Sequence, residues 1–171
     1  SYDSFHTKAD RIYRIVTDLK TPTETLNTSG PAWAVSPHIK PEFPEIEAEV
    51  RIDNASLLVR KDDIKFQEDN SLFADSSFFK VFDFKPLAGD LQSALNSTDA
   101  LVITRDIAIK YFGKTDVLGQ TLTIQSFSGG KQDFEITAVL KDPPMNTITN
   151  WGNGINKGEN QFFLPATSLR F

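Results

Sequence analysis

The sequence predicts an α+β domain, a mixed sheet with short helices, and three observations carry that prediction. Strand-like and helix-like runs follow each other in the order β-α-β-β-β-α-β-α-β-β, without the regular alternation of a doubly wound sheet. Residues 72–90, LFADSSFFKVFDFKPLAGD, crowd Phe73, Phe78, Phe79, Phe82 and Phe84 into one segment that Pro86 and Gly89 close. Residues 100–113 read as a short strand running straight into a helix with start and stop signals of its own.

The elements follow in order. In residues 1–10, SYDSFHTKAD, Tyr2 and Phe5 are apolar anchors, and Ser4 or Asp3 can cap a helix running to about Ala9. Residues 11–21 are rich in β-branched side chains. Tyr13, Ile15 and Leu19 share one face, Ile12 and Val16 the other, which predicts a strand buried on both sides. A Thr/Pro/Asn loop leads to a short helix around Trp33 and Ile39, interrupted by Pro37. Pro41 and Pro44 then force a turn. In residues 45–53, Ile46, Ala48, Val50 and Ile52 alternate with Glu47, Glu49, Arg51 and Asp53, the pattern of a half-solvated strand.

Residues 56–60 and 64–68, joined by Lys61-Asp62-Asp63, form a hairpin. In the Phe-rich segment Ser76 and Ser77 can cap a short helix, and its rings read as core, each contributing about 1.5–3 kcal/mol on burial. Thr104 caps the next helix, which presents Ile107, Ala108, Tyr111 and Phe112 and stops at Gly113. Leu122 and Ile124 alternate in a strand over residues 121–125. A Gly-rich tip follows, and residues 133–141 pair back with Phe134, Ile136, Ala138 and Leu140 inward. Pro143-Pro144 ends that strand, residues 146–160 form an exposed loop, and residues 161–171 begin a last strand and helix that read as cut off.

Bulk properties exclude several function classes. The 171 residues suffice for one domain or two small ones. With no Cys, neither a disulfide framework nor a thiolate metal site is available. A net charge of −5 argues against nucleic acid and against an anionic membrane as partner. No apolar run approaches the roughly 20 residues of a membrane span. The chain opens at Ser1 without Met, within a segment that reads as ordered, and is expected to be a piece of a longer protein.

Ionisable residues do not assemble into a reaction set. His6 lies near Asp3 and Asp10 in sequence, and both His6 and His38 read as exposed. Glu45, Glu47 and Glu49 at a spacing of two read as a solvated strand face, and Asp62-Asp63 as turn chemistry. Gly129-Gly130 lacks the following helix that a phosphate cradle needs. No nucleophile elbow, zinc-helix, P-loop or dinucleotide motif is present. The sequence therefore assigns no catalytic, cofactor-binding or metal-binding residue, expects no cofactor, and predicts a chain that is not an enzyme.

Four blocks in order carry a resemblance. The first is SYDSFHTKADRIYRIV, with Tyr2, Asp3, Phe5, His6, Asp10, Arg11, Ile12, Tyr13 and Arg14. The second is the Phe-rich segment, through Ala74, Asp75, Phe78, Phe79, Val81, Phe82, Phe84, Leu87, Gly89 and Asp90. The third is LVITRDIAIKYFGKTDVLGQTLTI, residues 101–124, and the fourth FEITAVLKDPPMNT, residues 134–147. Together they resemble the periplasmic core domain of MacB/FtsX-type ABC transporter permeases, especially the Bacteroidetes kind. After Thr147 the chain departs from the pattern. The family continues with a histidine and an apolar segment, whereas residues 148–160 are rich in Gly and Asn.

The resemblance implies a single extracytoplasmic domain over residues 1–171, with an atypical or truncated part at 148–171, and a porter-like α+β fold. It implies a location on the periplasmic side of the bacterial inner membrane, within an integral membrane parent. The implied partners are a cytoplasmic ATPase subunit, a second permease and a periplasmic adaptor or outer-membrane component. The implied function is coupling of cytoplasmic ATP hydrolysis to export or envelope-protein handling. The competing expectation is a free-standing envelope module for ligand binding or adhesion.

Overall fold

The computed structural model describes residues 6–28, 39, 41–126, 129–142 and 159–168. The helix expected around Trp33, the Pro143-Pro144 stop and most of the loop after it lie outside them. A two-stranded antiparallel ribbon, β1 (Thr17–Lys20) with β2 (Thr25–Thr28), pairs only within itself among the described residues. The rest is organised by β3 (Ile52–Lys61), β4 (Ile64–Ala74), α1 (Phe78–Val81), β5 (Pro86–Gly89), β6 (Ala100–Thr104), α2 (Arg105–Phe112), β7 (Thr121–Gln125), β8 (Lys131–Leu140) and β9 (Phe162–Pro165). Single 3-10 turns lie at Ala9–Arg11 and Ala166–Ser168.

Seven strands pair in the order β5-β8-β6-β9-β4-β3-β7, and β7 also pairs with β8. The sheet therefore closes on itself: β8, β6, β9, β4, β3 and β7 form a ring, and β5 adds to β8 beside β7. β6 with β8 and β4 with β9 are parallel, the other pairs antiparallel, so the predicted mixed sheet with few short helices is what forms.

The ring has a packed interior, to which every strand contributes: Leu57 and Val59, Phe73, Leu101 and Ile103, Leu122 and Ile124, Phe134, Ile136 and Val139, Phe162 and Leu164. Helix α2 adds Ile107, Ala108 and Tyr111 to the same core, as its predicted apolar face requires. Gly113, at φ 70°, ends it with its N–H donating to the Ile109 carbonyl at 2.8 Å. Thr104 holds the expected N-cap position without making the side-chain bond. What pins α2 to β4 is instead a buried carboxylate. Glu68 accepts from the Tyr111 hydroxyl at 2.6 Å and from Lys110 Nζ at 2.5 Å. Burial, followed by the facing Glu68, pushes the Tyr111 phenol above its ordinary value.

β6 and β9 are buried on both faces, because a second core lies outside the ring. Leu72 and Ala74, Val102, Ala138 and Leu140, and Phe163 face outward there, under the Phe-rich segment and Leu91, Ala94 and Leu95. This corrects the expectation that Phe134, Ile136, Ala138 and Leu140 share one face. The β6–β8 register slips between Leu101 and Val102, and the extra residue moves Ala138 and Leu140 to the exterior. Thr137, the residue passed over, donates its hydroxyl to the Ala94 carbonyl at 2.7 Å. Gly89 lies against this bulge at φ 87°, where a Cβ would collide with the Thr137 carbonyl oxygen.

The 56–68 hairpin forms and extends well beyond its expected ends, with Asp62 at the tip in the left-handed region at φ 51°. Two other strand expectations hold only in part, in β1 for residues 11–21 and at the start of β3 for residues 45–53. Residues 12–16 join no sheet, and Tyr13, Ile15 and Val16 are exposed, Tyr13 at 83%. β-branching sets an extended backbone, but burial needs a neighbouring layer that this segment lacks. Residues 46–51 also stay out of the sheet, and β3 begins at Ile52. Its alternation supplied no partner strand: side-chain bonds, described next, hold this stretch in place.

Candidate coupling site

The helix expected to run to Ala9 is reduced, among described residues, to a turn at 6–8 and the 3-10 turn after it. That turn docks on the Phe-rich segment. The Asp83 N–H donates to His6 Nδ1 at 2.8 Å, while Asp83 Oδ2 accepts from the Thr7 N–H at 2.6 Å and the Thr7 hydroxyl at 2.8 Å. Lys8 Nζ reaches the Lys80 carbonyl at 3.4 Å. The Thr7 backbone N–H holds the Asp83 carboxyl below the usual aspartate range, helped by the Thr7 hydroxyl and the charges of His6 and Lys8, against a desolvation that raises it.

His6 corrects a sequence expectation. It is buried, at 3% exposure, with its ring edge-on to Phe82 at 5.3 Å and tilted to Phe84 at 6.2 Å. The neighbours suggested by sequence proximity were Asp3 and Asp10. Asp10 is exposed and Asp3 lies outside the described residues, and the acidic residue actually engaged is 77 positions away from His6. Its sequence signal was the phenylalanine spacing around Asp83, which marks a buried surface needing a polar neighbour satisfied. His38 lies outside the described residues.

Behind His6 the rings form one continuous stack. Phe78 meets Phe79 and Phe82 at 5.0 Å, and Phe78, Phe79 and Phe84 each meet Phe163 of β9 at 5.6 Å. Such pairs add about 0.5–1.5 kcal/mol each beyond the area they bury. The expected helix forms as α1, but Ser77 does not cap it by its side chain. Its hydroxyl donates to the Glu49 carbonyl at 2.7 Å and ties residues 46–51 to the segment.

A second tie lies beside it. Arg51, expected to face water, grips Asp75 with Nη2 to Oδ1 at 2.7 Å and Nε to Oδ2 at 2.9 Å, and its backbone N–H reaches Oδ2 at 2.9 Å. The Asp75 hydrogen bond raises the Arg51 guanidinium above its ordinary value. Of the three glutamates read as a solvated face, Glu47 pairs with Arg11 at 2.9 Å with both side chains largely exposed, a contact worth little. Among the described residues no group of three His, Cys, Asp or Glu is placed to hold a metal.

The arrangement brings together three distant parts of the chain: the N-terminal turn, the Phe-rich segment and strand β9.

The comparisons with known proteins agree with this architecture. A domain of a protein described as a permease from Porphyromonas gingivalis superposes with a TM-score of 0.63 at 25% identity, over 84% of this chain and 56% of that one. The extracellular domain of the noncanonic ABC-type transporter YknZ from Gram-positive bacteria gives 0.51 at 20% identity, over 71% and 55%. The periplasmic region of MacB from Actinobacillus actinomycetemcomitans gives 0.52 at 14% identity, over 82% and 63%. The last two show a shared fold, and the chain spans between about half and two thirds of the length of all three. No curated protein matches the chain. Among the described residues no helix is long and apolar enough to cross a membrane. Residues 1–171 match the MacB-like periplasmic core domain throughout, and the chain belongs to that family.

Proposed function

We propose that this chain is the single extracytoplasmic domain of an ABC permease subunit, residues 1–171, and that it works without catalysis of its own. It couples ATP hydrolysis in a cytoplasmic ATPase to export or envelope-protein handling, with a second permease beside it. An adaptor or outer-membrane component takes up the motion on the periplasmic side. The observation that carries this reading is the clasp of His6, Thr7 and Asp83, which fastens the N-terminal turn to a stack of rings continuous with the barrel. Motion arriving at the N-terminal end is then delivered to the whole domain.

The parent permease, reconstituted with its ATPase, tests this reading. These 171 residues contain no cysteine, so with any cysteine elsewhere in the parent replaced by serine, Asp62→Cys at the exposed hairpin tip accepts a single fluorophore. ATP should change its signal, and Thr7→Ala with Asp83→Ala should abolish that change while ATP hydrolysis continues. A signal that ignores ATP, or one that survives loss of the clasp, would sink the proposal. So would a parent gene without apolar runs of about 20 residues on both sides of this chain.

A further inference from the structure

The exterior of the ring is covered on one flank only. The Phe-rich layer lies over β6, β9 and the later parts of β4 and β8, and among the described residues nothing comparable lies over β3 and β7. Val59 and Ile124 point into the interior, so Leu58, Arg60, Thr123 and Gln125 point outward. Register places Lys65 directly opposite Arg60, and Lys131 directly opposite Gln125. These six residues line one shallow depression that contains no carboxylate.

That grouping runs against the composition, 23 acidic against 18 basic residues. Arg60, Lys65 and Lys131 make no ion pair among the described residues. Two carboxylates border the face without an ion pair to these cations: Asp133 accepts the Thr123 hydroxyl at 2.6 Å, and Asp69 accepts the Gln67 amide at 2.9 Å. Like charges directly opposite in a ladder are destabilising, so the Arg60–Lys65 pair weakens the hairpin unless an anion bridges it.

We propose that this depression binds the phosphate group of a phosphate ester. The Arg60 guanidinium supplies a two-pronged donor, and Lys65 and Lys131 supply point charges. Three cations suit a dianionic phosphate better than a single carboxylate. The Gln125 amide adds a neutral donor. A neighbouring groove shares Arg60 and Thr123 and continues past Asp62, Gln120 and Thr121, whose side chains suit hydroxyl groups on the alcohol side of the ester. The ligand class is therefore a polyol phosphate, either soluble or presented as a lipid headgroup. This site does not depend on the permease reading.

Titration calorimetry with glycerol 3-phosphate, then sedimentation with vesicles containing phosphatidylinositol 4-phosphate, whose headgroup carries a phosphate monoester, tests it, both in dilute salt because exposed charges are screened over about 10 Å at 0.1 M. Lys65→Gln with Lys131→Gln should weaken binding at least about tenfold, whereas Lys20→Gln with Lys114→Gln, removing equal charge elsewhere, should stay within about twofold. That contrast with glycerol 3-phosphate alone upholds the site with a soluble ester, and with both probes it upholds a lipid headgroup. Absence of glycerol 3-phosphate binding, or equal weakening by the two double variants, overturns the site.

Discussion

The two flanks of the ring are built from shared strands yet are held by different forces. Within β4, residues 72–74 are buried, Leu72 and Ala74 under the Phe-rich layer, whereas Lys65 and Gln67, earlier in the same strand, face solvent. One flank is apolar, densely packed and tied to the N-terminal turn. The other is polar, open and cationic. A strand's own residues set which faces alternate, but whether an outward face becomes core depends on what folds over it.

The comparison can be broken from the covered side first. Phe78→Ala removes a fully buried ring that touches Phe79, Phe82, Phe84 and Phe163. It should cost about 3–5 kcal/mol in urea unfolding, whereas Leu58→Ala on the open flank should cost less than about 1 kcal/mol. Similar losses at both positions would erase the distinction between the flanks.

Arg51→Ala should cost about 1.5–3 kcal/mol, because it leaves the partly buried Asp75 carboxylate without its two-pronged partner. Faster amide exchange in residues 46–51 should accompany the loss, and unchanged exchange would show that the Ser77 bond and the backbone bonds between residues 51 and 75 suffice to hold that stretch. Tyr111→Phe deletes one of two donors to buried Glu68 and should cost about 1–2 kcal/mol, with the native fold retained.

Acid should loosen the covered flank at its edge. The folded Asp83 carboxyl lies below its ordinary value, so its contribution is complete above about pH 4 and is lost as pH falls through the depressed folded value. Exchange at the Thr7 amide should accelerate in that range, and Asp83→Asn should remove the dependence. Protection that persists to about pH 2 would mean that the clasp does not rest on this carboxylate.

The smallest effect belongs to the open flank and has the opposite sign. Lys65→Glu replaces a like-charge pair with Arg60 by an opposite one and should stabilise by about 0.2–1 kcal/mol. A destabilised variant would mean that Lys65 has a stabilising role that its position opposite Arg60 does not account for.

Much of this fold was legible. Alternation located the hairpin and the β7–β8 pair, and Gly113 located the end of α2. Phenylalanine density located a core. The candidate site was less legible, because its polar half joins residues far apart in the chain. Nothing local to His6 names Asp83, and nothing local to Arg51 names Asp75. The strand expectations over 11–21 and 45–53 held only at their ends, in β1 and at the start of β3, for a related reason: periodicity describes one segment's faces and says nothing about a neighbour.

The sequence by itself determined element type where local physics decides, through side-chain alternation, ring density, and proline and glycine stops. Its four blocks also pointed to the family that the whole chain matches. Only the tertiary structure decided closure of the sheet, the bulge that splits β8 between two cores, the burial of His6 and the gathering of three cations on one open face. Those features depend on which strands meet and in what register. Pairing is a long-range choice, made by the summed burial of the whole chain and not by any segment's own pattern.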